Sequence, residues 1–270
     1  MLGRALSLLF WLFLALSSAI LYPIALLIWA STALFDRRRV LLHRFTCFWA
    51  SLYTWCNPVW RVRIEGREKI RPDAAYVMVA NHQSLLDVLV LFRLFAHFKW
   101  VSKVENFRIP FIGWNMYLNR YIKLQRGSRD SVARMMRQCE VALAEGNSIM
   151  MFPEGTRSAD GNLQAFKAGA FTLAQRAGAP VLPIVVEGTA AALPKRGFVL
   201  RGRHRIRVRV LDEIDVHTFA GKPADLVADE VRERFAVALG VPRSRGVDHG
   251  RRVDHGRAIS SGGLTERKLT

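Results

Sequence analysis

The sequence predicts an α/β protein: a mixed, largely parallel sheet flanked by helices, preceded by an N-terminal membrane-embedded helical segment. Three observations carry that expectation. An uncharged apolar run fills Ala5 to Phe35. Short apolar, β-branched runs then alternate with stretches of helical periodicity through the middle of the chain. From Arg243 onward the apolar periodicity stops.

The N-terminal run is bounded by Arg4 and Asp36. It exceeds the roughly 20 residues needed to cross a bilayer and the roughly 7–15 apolar residues of a secretory signal. As a straight helix it would measure roughly 45 Å against a hydrocarbon core of roughly 30 Å. It must tilt, kink near Pro23, or fold back within one leaflet. Arg37, Arg38, Arg39 and Arg44 follow it, so the positive-inside rule places the remainder in the cytoplasm, at the cell membrane (the inner membrane if the cell is bacterial). Residues 40–58 are rich in Trp, Tyr and Phe and end at Pro58. They suit a second membrane-associated or interfacial helix, with a core helix as the competing reading.

Beyond Pro58, Arg61–Ile64 alternates like a strand and closes at Gly66. Tyr76–Ala80 suits a buried strand, followed by a helical stretch over 84–95. Further strands are expected at 98–102 and 121–124. Ser128 is placed to cap a helix running to Ala144, with Asp130 in its first turn and Gly146 past its end. A strand from Ser148 to Phe152, a helix over 168–177 ending at Gly178, a strand over 181–186, an alternating strand over 205–210 and a helix over 223–239 complete the pattern. The expected organisation is a membrane-anchoring region over 1–58, a catalytic domain over 59–242 and a basic disordered tail over 243–270. In that tail Gly-Val-Asp-His-Gly-Arg is nearly repeated as Arg-Val-Asp-His-Gly-Arg.

A formal net charge of +18 coexists with a slightly positive mean hydropathy of +0.11. The basicity fits anionic lipid headgroups, and no zinc-finger or RNA-binding signature supports nucleic acid as a partner. Cys47, Cys56 and Cys139 are odd in number and lack metal-ligand spacing, which points to free thiols.

Two strand-end loops carry the chemistry. Asn81-His-Gln-Ser-Leu-Leu-Asp87 lies where a buried strand gives way to a helix. Residues five apart on a helix point roughly 140° away from each other, so His82 and Asp87 meet only if His82 sits in the loop. Asp87 would then fix the tautomer and leave the other ring nitrogen to take a proton. The competing reading has Asn81 or Ser84 capping the helix and His82 as a turn residue. Met151-Phe-Pro-Glu-Gly-Thr-Arg-Ser158 also follows an apolar strand. Pro153 and Gly155 force a tight turn that presents Glu154 and Arg157, and Arg157 with Thr156, Ser158 and backbone N–H groups can hold phosphate. An ordinary Glu154–Arg157 ion pair on a surface turn is the competing reading there.

Together, Asn-His-x4-Asp and Phe-Pro-Glu-Gly-Thr-Arg-Ser strongly resemble the glycerolipid acyltransferase family, typified by 1-acylglycerol-3-phosphate acyltransferases, over roughly residues 60 to 215. Lys103 before Ile109-Pro-Phe-Ile-Gly113, Arg126 in Ile-Lys-Leu-Gln-Arg, Phe166-Lys167-Ala168-Gly169-Ala170 and Val181-Leu-Pro-Ile184 resemble further family segments. Arg120 stands where the family has Gly, and Gln125 where it has Asp. The resemblance implies transfer of a fatty acyl group from a thioester, acyl-CoA or acyl carrier protein, to the sn-2 hydroxyl of a lysophosphatidic acid. It implies His82 as general base and Asp87 as its orienting partner. Lys103, Arg126 and Arg157 would hold the acceptor phosphate, Gly155, Thr156 and Lys167 would line the site, and Glu154 would position the acceptor or brace Arg157. No cofactor and no metal are expected, and no Gly-x-Ser-x-Gly elbow is present. Other acceptors (a lyso-ornithine lipid or a lysophospholipid) fit the same motifs. A membrane-anchored lipid-binding protein without catalysis, or a basic nucleic-acid-associated membrane protein, are the readings outside the enzyme class.

Overall fold

The computed structural model describes residues 2–195 and 197–241, so the expected tail over 243–270 lies outside the described residues. The described residues form seven strands and eight α-helices with short 3-10 turns between them. The strands are β1 (Trp60–Glu65), β2 (Val77–Ala80), β3 (Phe98–Lys103), β4 (Ile122–Leu124), β5 (Ser148–Met151), β6 (Val181–Glu187) and β7 (His204–Val210). They form one sheet in the order β1-β7-β6-β2-β5-β3-β4, parallel except for the antiparallel β6–β7 pair. Each of the seven strands expected from the sequence is present, and the buried β2 is apolar on both faces because helices cover both.

The helices are α1 (Leu2–Thr32), α2 (Val40–Trp55), α3 (Leu86–Phe92), α4 (Ile112–Leu118), α5 (Arg129–Ala144), α6 (Gly169–Ala177), α7 (Thr189–Ala192) and α8 (Ala224–Leu239). The stretch expected to be helical over 84–95 is shorter, because Ser84 and the residues before it are committed to the loop that carries His82. Ser128 caps α5 as anticipated, accepting from the Ser131 N–H at 3.2 Å. One core joins α1, α2 and α3 to the sheet face bearing Met78, Ala80, Trp100 and Ile184. The other joins α5, α6 and α8 to the face bearing Val77, Val79, Ile149 and Val185.

α1 is a single unbroken helix, long and apolar enough to cross a membrane by length and composition. It does not fold back. Ser7, Phe10, Ser18, Ala25 and Thr32 form one buried stripe along its whole length, while Leu9, Leu16, Ile20 and Leu27 remain exposed on the other side. Tyr53 ties the stripe down, sharing hydrogen bonds with Ser17 and Ser18 at 3.1 Å each. Of the two readings of residues 40–58, α2 is mainly a core helix: Leu42, Cys47, Trp49, Ala50 and Tyr53 are buried, each large side chain contributing about 1.5–3 kcal/mol. Thr46, Ser51 and Thr54 are buried without penalty because their hydroxyls donate to carbonyls of their own helix. Leu41, Phe48 and Trp55 alone keep an exposed apolar edge.

Candidate active site

β2, β5, β3 and β4 are parallel neighbours, so their C-terminal ends line one edge of the sheet. Every loop singled out from the sequence opens at that edge, the usual position for a site in an open parallel sheet. Asn81 fixes the first loop. Its side chain donates to the Val186 carbonyl (2.8 Å) and accepts from the Val186 N–H (2.7 Å), so it clamps β2 to β6 rather than capping α3.

His82 then lies in the loop and Asp87 in the first turn of α3, the arrangement their spacing demanded. Nδ1 of His82 is 2.8 Å from Oδ2 of Asp87. The same oxygen accepts the N–H groups of Gln83 (2.6 Å) and Ser84 (2.8 Å), and the Thr189 hydroxyl donates to Oδ1. Asp87 is fully buried, so these four donors offset the cost of hiding its charge. A carboxylate only accepts, so Nδ1 carries the proton and Nε2 is the basic nitrogen. Nε2 makes no hydrogen bond among the described residues, and the ring keeps 14% exposure. Phe152 stacks on the imidazole with centroids 3.8 Å apart, and Trp100 stacks on Phe152 in turn. Ser84, a conceivable nucleophile, is buried with its hydroxyl donated to the Leu193 carbonyl at 2.6 Å.

The second loop turns back as expected. Gly155 adopts φ +70, and its N–H donates to the Phe152 carbonyl at 2.9 Å. The Glu154–Arg157 contact does not form. Glu154 is buried and accepts from the backbone N–H of His82 (2.7 Å) and of Gln164 (3.3 Å), so it staples the two loops together. The reason is geometric: the turn sends its side chain inward beneath His82. Burial pushes the Glu154 carboxyl up to about 7; the two N–H donors oppose this, and the nearby Asp87 charge adds to it. Ser158 also turns inward, its N–H donating to the His82 carbonyl at 2.7 Å and its hydroxyl to Asp160 at 2.8 Å, which removes it from the donors expected for phosphate.

Arg157, freed from Glu154, has no hydrogen bond or ion pair among the described residues. Lys103 and Arg126 are exposed at the ends of β3 and β4, where Lys103 stands in register with Leu124. Lys167 runs along the turn at Gly155, close enough that a Cβ there would sit 3.0 Å from its Nζ. Thr156 is half-buried, with its carbonyl accepting from Gln164. One edge therefore gathers a histidine with a free nitrogen and four cations that form no ion pair among the described residues. Arg120, at the position where the sequence resemblance expects Gly, adopts φ +55 at the turn into β4. Among the described residues no group of three or more His, Cys, Asp or Glu side chains is arranged to hold a metal.

Thr189, Phe152, Trp100, Asn81 and Gln164 complete the site without having been singled out for it. The Gly188-Thr189 pair after β6 is the one local signal: Gly188 at φ +84 makes the tight exit that points Thr189 at Asp87.

Fold and site define a class of α/β domain in which a strand-end histidine, oriented by a buried carboxylate, is set for general-base chemistry beside a cationic rim. The pattern of a family described as Acyltransferase matches residues 61–187 of this chain. A 1-acyl-sn-glycerol-3-phosphate acyltransferase of Chlamydomonas reinhardtii is 44% identical over 162 residues, 59% of this chain and 48% of its own length. A chloroplastic 1-acyl-sn-glycerol-3-phosphate acyltransferase of Brassica napus is 37% identical over 210 residues, covering 77% of this chain and 59% of its own. The chain thus spans about half to three-fifths of the length of these relatives. The crystal structure of the 1-acyl-sn-glycerophosphate (LPA) acyltransferase PlsC from Thermotoga maritima shares the fold, with a TM-score of 0.70 at 24% identity over 90% of this chain and 100% of that one.

Proposed function

We propose that this chain transfers a fatty acyl group from an acyl thioester, acyl-CoA or acyl carrier protein, to the sn-2 hydroxyl of 1-acylglycerol-3-phosphate, producing phosphatidic acid for phospholipid biosynthesis. The observation that carries this reading is the free Nε2 of His82, held by Asp87 at the same sheet edge as Lys103, Arg126 and Arg157. Nε2 takes the hydroxyl proton as the oxygen attacks the thioester carbonyl. The C–S bond breaks, and the proton returns to the departing thiolate. Hydroxyl plus thioester becomes ester plus thiol, with no covalent enzyme intermediate and no cofactor or metal required. General-base assistance of this kind contributes roughly 10²–10⁴-fold. Asp87 steadies the transient imidazolium, and the face of Phe152 lies against it.

In this reading the three cations hold the acceptor phosphate, while Gly155, Thr156 and Lys167 line its approach. Glu154 positions the acceptor indirectly, by fixing the His82 backbone. Residues 1–58 form the membrane-anchoring region, 59–242 the catalytic domain on the cytoplasmic side of the cell membrane, and 243–270 a basic tail. The stripe of α1 packed lengthwise on the domain favours insertion along one leaflet, which keeps the catalytic edge at the plane where a lysolipid resides. The test is purified, detergent-solubilised protein given an acyl thioester and a panel of lyso-lipids, with thiol release followed. Lysophosphatidic acid is the expected best acceptor; faster transfer to a lyso-ornithine lipid or a neutral lysophospholipid would overturn the acceptor assignment.

A further inference from the structure

Two strands at the sheet margin carry arginines used by neither the fold nor the catalytic edge. β1 and β7 pair in parallel register, with Arg61 beside Arg205 and Arg63 beside Arg207. Val62, Ile64, Ile206 and Val208 join the core beneath α1 and α2. Strand alternation therefore turns the arginines to the opposite face, the one covered elsewhere by α5, α6 and α8. The side chains of Arg61 and Arg205 make no hydrogen bond or ion pair among the described residues. Arg63 and Arg207 share a single carboxylate, Glu65, at 2.9 and 3.5 Å.

The plain explanation for charge here is protection of an exposed sheet edge. It accounts for β1, which is an edge strand, but not for β7, which is hydrogen-bonded on both sides. Like charges on neighbouring strands, backbones about 5 Å apart, are unfavourable to the fold. Glu65 offsets part of this for Arg63 and Arg207, and no carboxylate among the described residues pairs with Arg61 or Arg205.

The location says what kind of partner these arginines suit. A side chain at Gly188 would lie 2.2 Å from the Arg205 carbonyl oxygen, so the strip abuts the β6 exit, and the next residue, Thr189, donates to Asp87. The strip thus begins one turn of chain from the catalytic pair. It faces away from the exposed apolar side of α1, so anchoring that helix in a leaflet points the arginines to solvent. Guanidinium groups spread over a flat sheet face, about 7 Å apart along each strand, match a row of carboxylates on a protein better than one compact phosphate, which needs donors converging in a concave site.

We infer that the Arg61, Arg63, Arg205 and Arg207 strip is the docking surface for an acidic carrier protein that delivers the acyl thioester to the catalytic edge. The inference rests on the acyl-transfer reading and names the donor's carrier within it. The test compares one acyl chain presented on acyl carrier protein and on coenzyme A, with lysophosphatidic acid as acceptor. The variant is R61E/R205E in the full chain, chosen because neither side chain has a partner among the described residues. The expected result is a rise of about tenfold or more in KM for the carrier-protein donor, with kcat and the coenzyme A kinetics within about twofold; R61K/R205K restores the donor KM. Equal loss with both donors, no change with the carrier protein, or wild-type turnover of acyl-CoA alone would each overturn it. So would loss of R61E/R205E binding to phosphatidylglycerol vesicles, which would assign the strip to the membrane. Transfer that persists in His82→Ala would instead sink the catalytic reading, so the two failures are distinct.

Discussion

Buried titratable groups cluster at both ends of these parallel strands, and the two clusters are built to opposite purposes. At the C-terminal edge, Asp87 and Glu154 are surrounded by donors, and one histidine keeps a nitrogen free. At the N-terminal edge, the buried Lys99 donates to the Arg38 carbonyl (2.6 Å) and the Asn119 carbonyl (2.9 Å), which fastens the α1–α2 connection to the sheet. His43 there uses both ring nitrogens, on the Tyr121 hydroxyl (2.8 Å) and the Ala96 carbonyl (3.0 Å). His97 holds the Asn147 side chain at 2.8 Å and is pushed down to about 4, by burial first and then by the Lys99 charge. Burial of a histidine therefore marks neither end as functional. What separates them is access: the free nitrogen of His82 belongs to a partly exposed ring beside exposed cations, whereas the unpartnered Nδ1 of His97 is buried and the other nitrogens there hold the chain together.

The largest expected effect breaks the first cluster. His82→Ala should lower thiol release by about 10²–10⁴-fold while leaving the thermal midpoint within a few degrees, since the ring packs on Phe152 at a loop surface. Lys99→Met should do the reverse. It leaves the buried Asn119 carbonyl without a donor, at about 1–3 kcal/mol, and the part-buried Arg38 carbonyl without one at a smaller cost, with turnover per folded molecule unchanged. Burial lowers Lys99 to about 7 from its usual 10.5. The unfolded chain then holds the extra proton between those values, so wild-type stability rises with pH from about 7 toward 10.5, and Lys99→Met should flatten that slope in thermal melts. Activity loss equal to that of His82→Ala would erase the distinction drawn between the two ends.

Much of this was legible in the chain, and the gaps have physical causes. Alternating strands and the Ser128 cap are local signals, so they transferred directly. The identity of α2 did not, because Trp, Tyr and Phe suit a lipid interface and a core equally; the deciding fact is that Leu42, Cys47, Trp49, Ala50 and Tyr53 are packed into the core. His82 and Asp87 were visible as a pair, but Glu154 looked like a partner for Arg157. Only the way the turn after β5 lies against the turn after β2 reveals that it binds the His82 backbone instead.

That contact gives the next prediction. The Glu154 carboxyl is raised from its usual 4.5 to about 7, so the folded state holds its proton more tightly than the unfolded one. The associated stability is complete below about pH 4.5 and is lost as pH rises through about 7, a swing on the order of 3 kcal/mol. Glu154→Gln keeps an oxygen for the His82 N–H and sacrifices only the longer bond to Gln164. Melting curves of this variant should lose the decline between pH 4.5 and 7. A decline that persists would mean another group titrates there.

The smallest effect isolates the residue no spacing rule exposes. Thr189 comes from the far side of β6 and reaches Asp87 across 102 residues of sequence, so only the β2–β6 pairing brings them together. Thr189→Val keeps the volume and removes the donor to Oδ1, while Gln83 and Ser84 still hold Oδ2. A hydrogen bond to a buried charge is worth about 1.5–3 kcal/mol, and part of that loss should appear as weaker orientation of the imidazole. The expected outcome is a fall of about tenfold in kcat with KM for both substrates unchanged. Thr189→Ser, which restores the hydroxyl, should recover most of it. If Thr189→Val and Thr189→Ser both behave as wild type, then Asp87 is positioned by its backbone donors alone, and the catalytic pair depends on one loop rather than on the meeting of two strands.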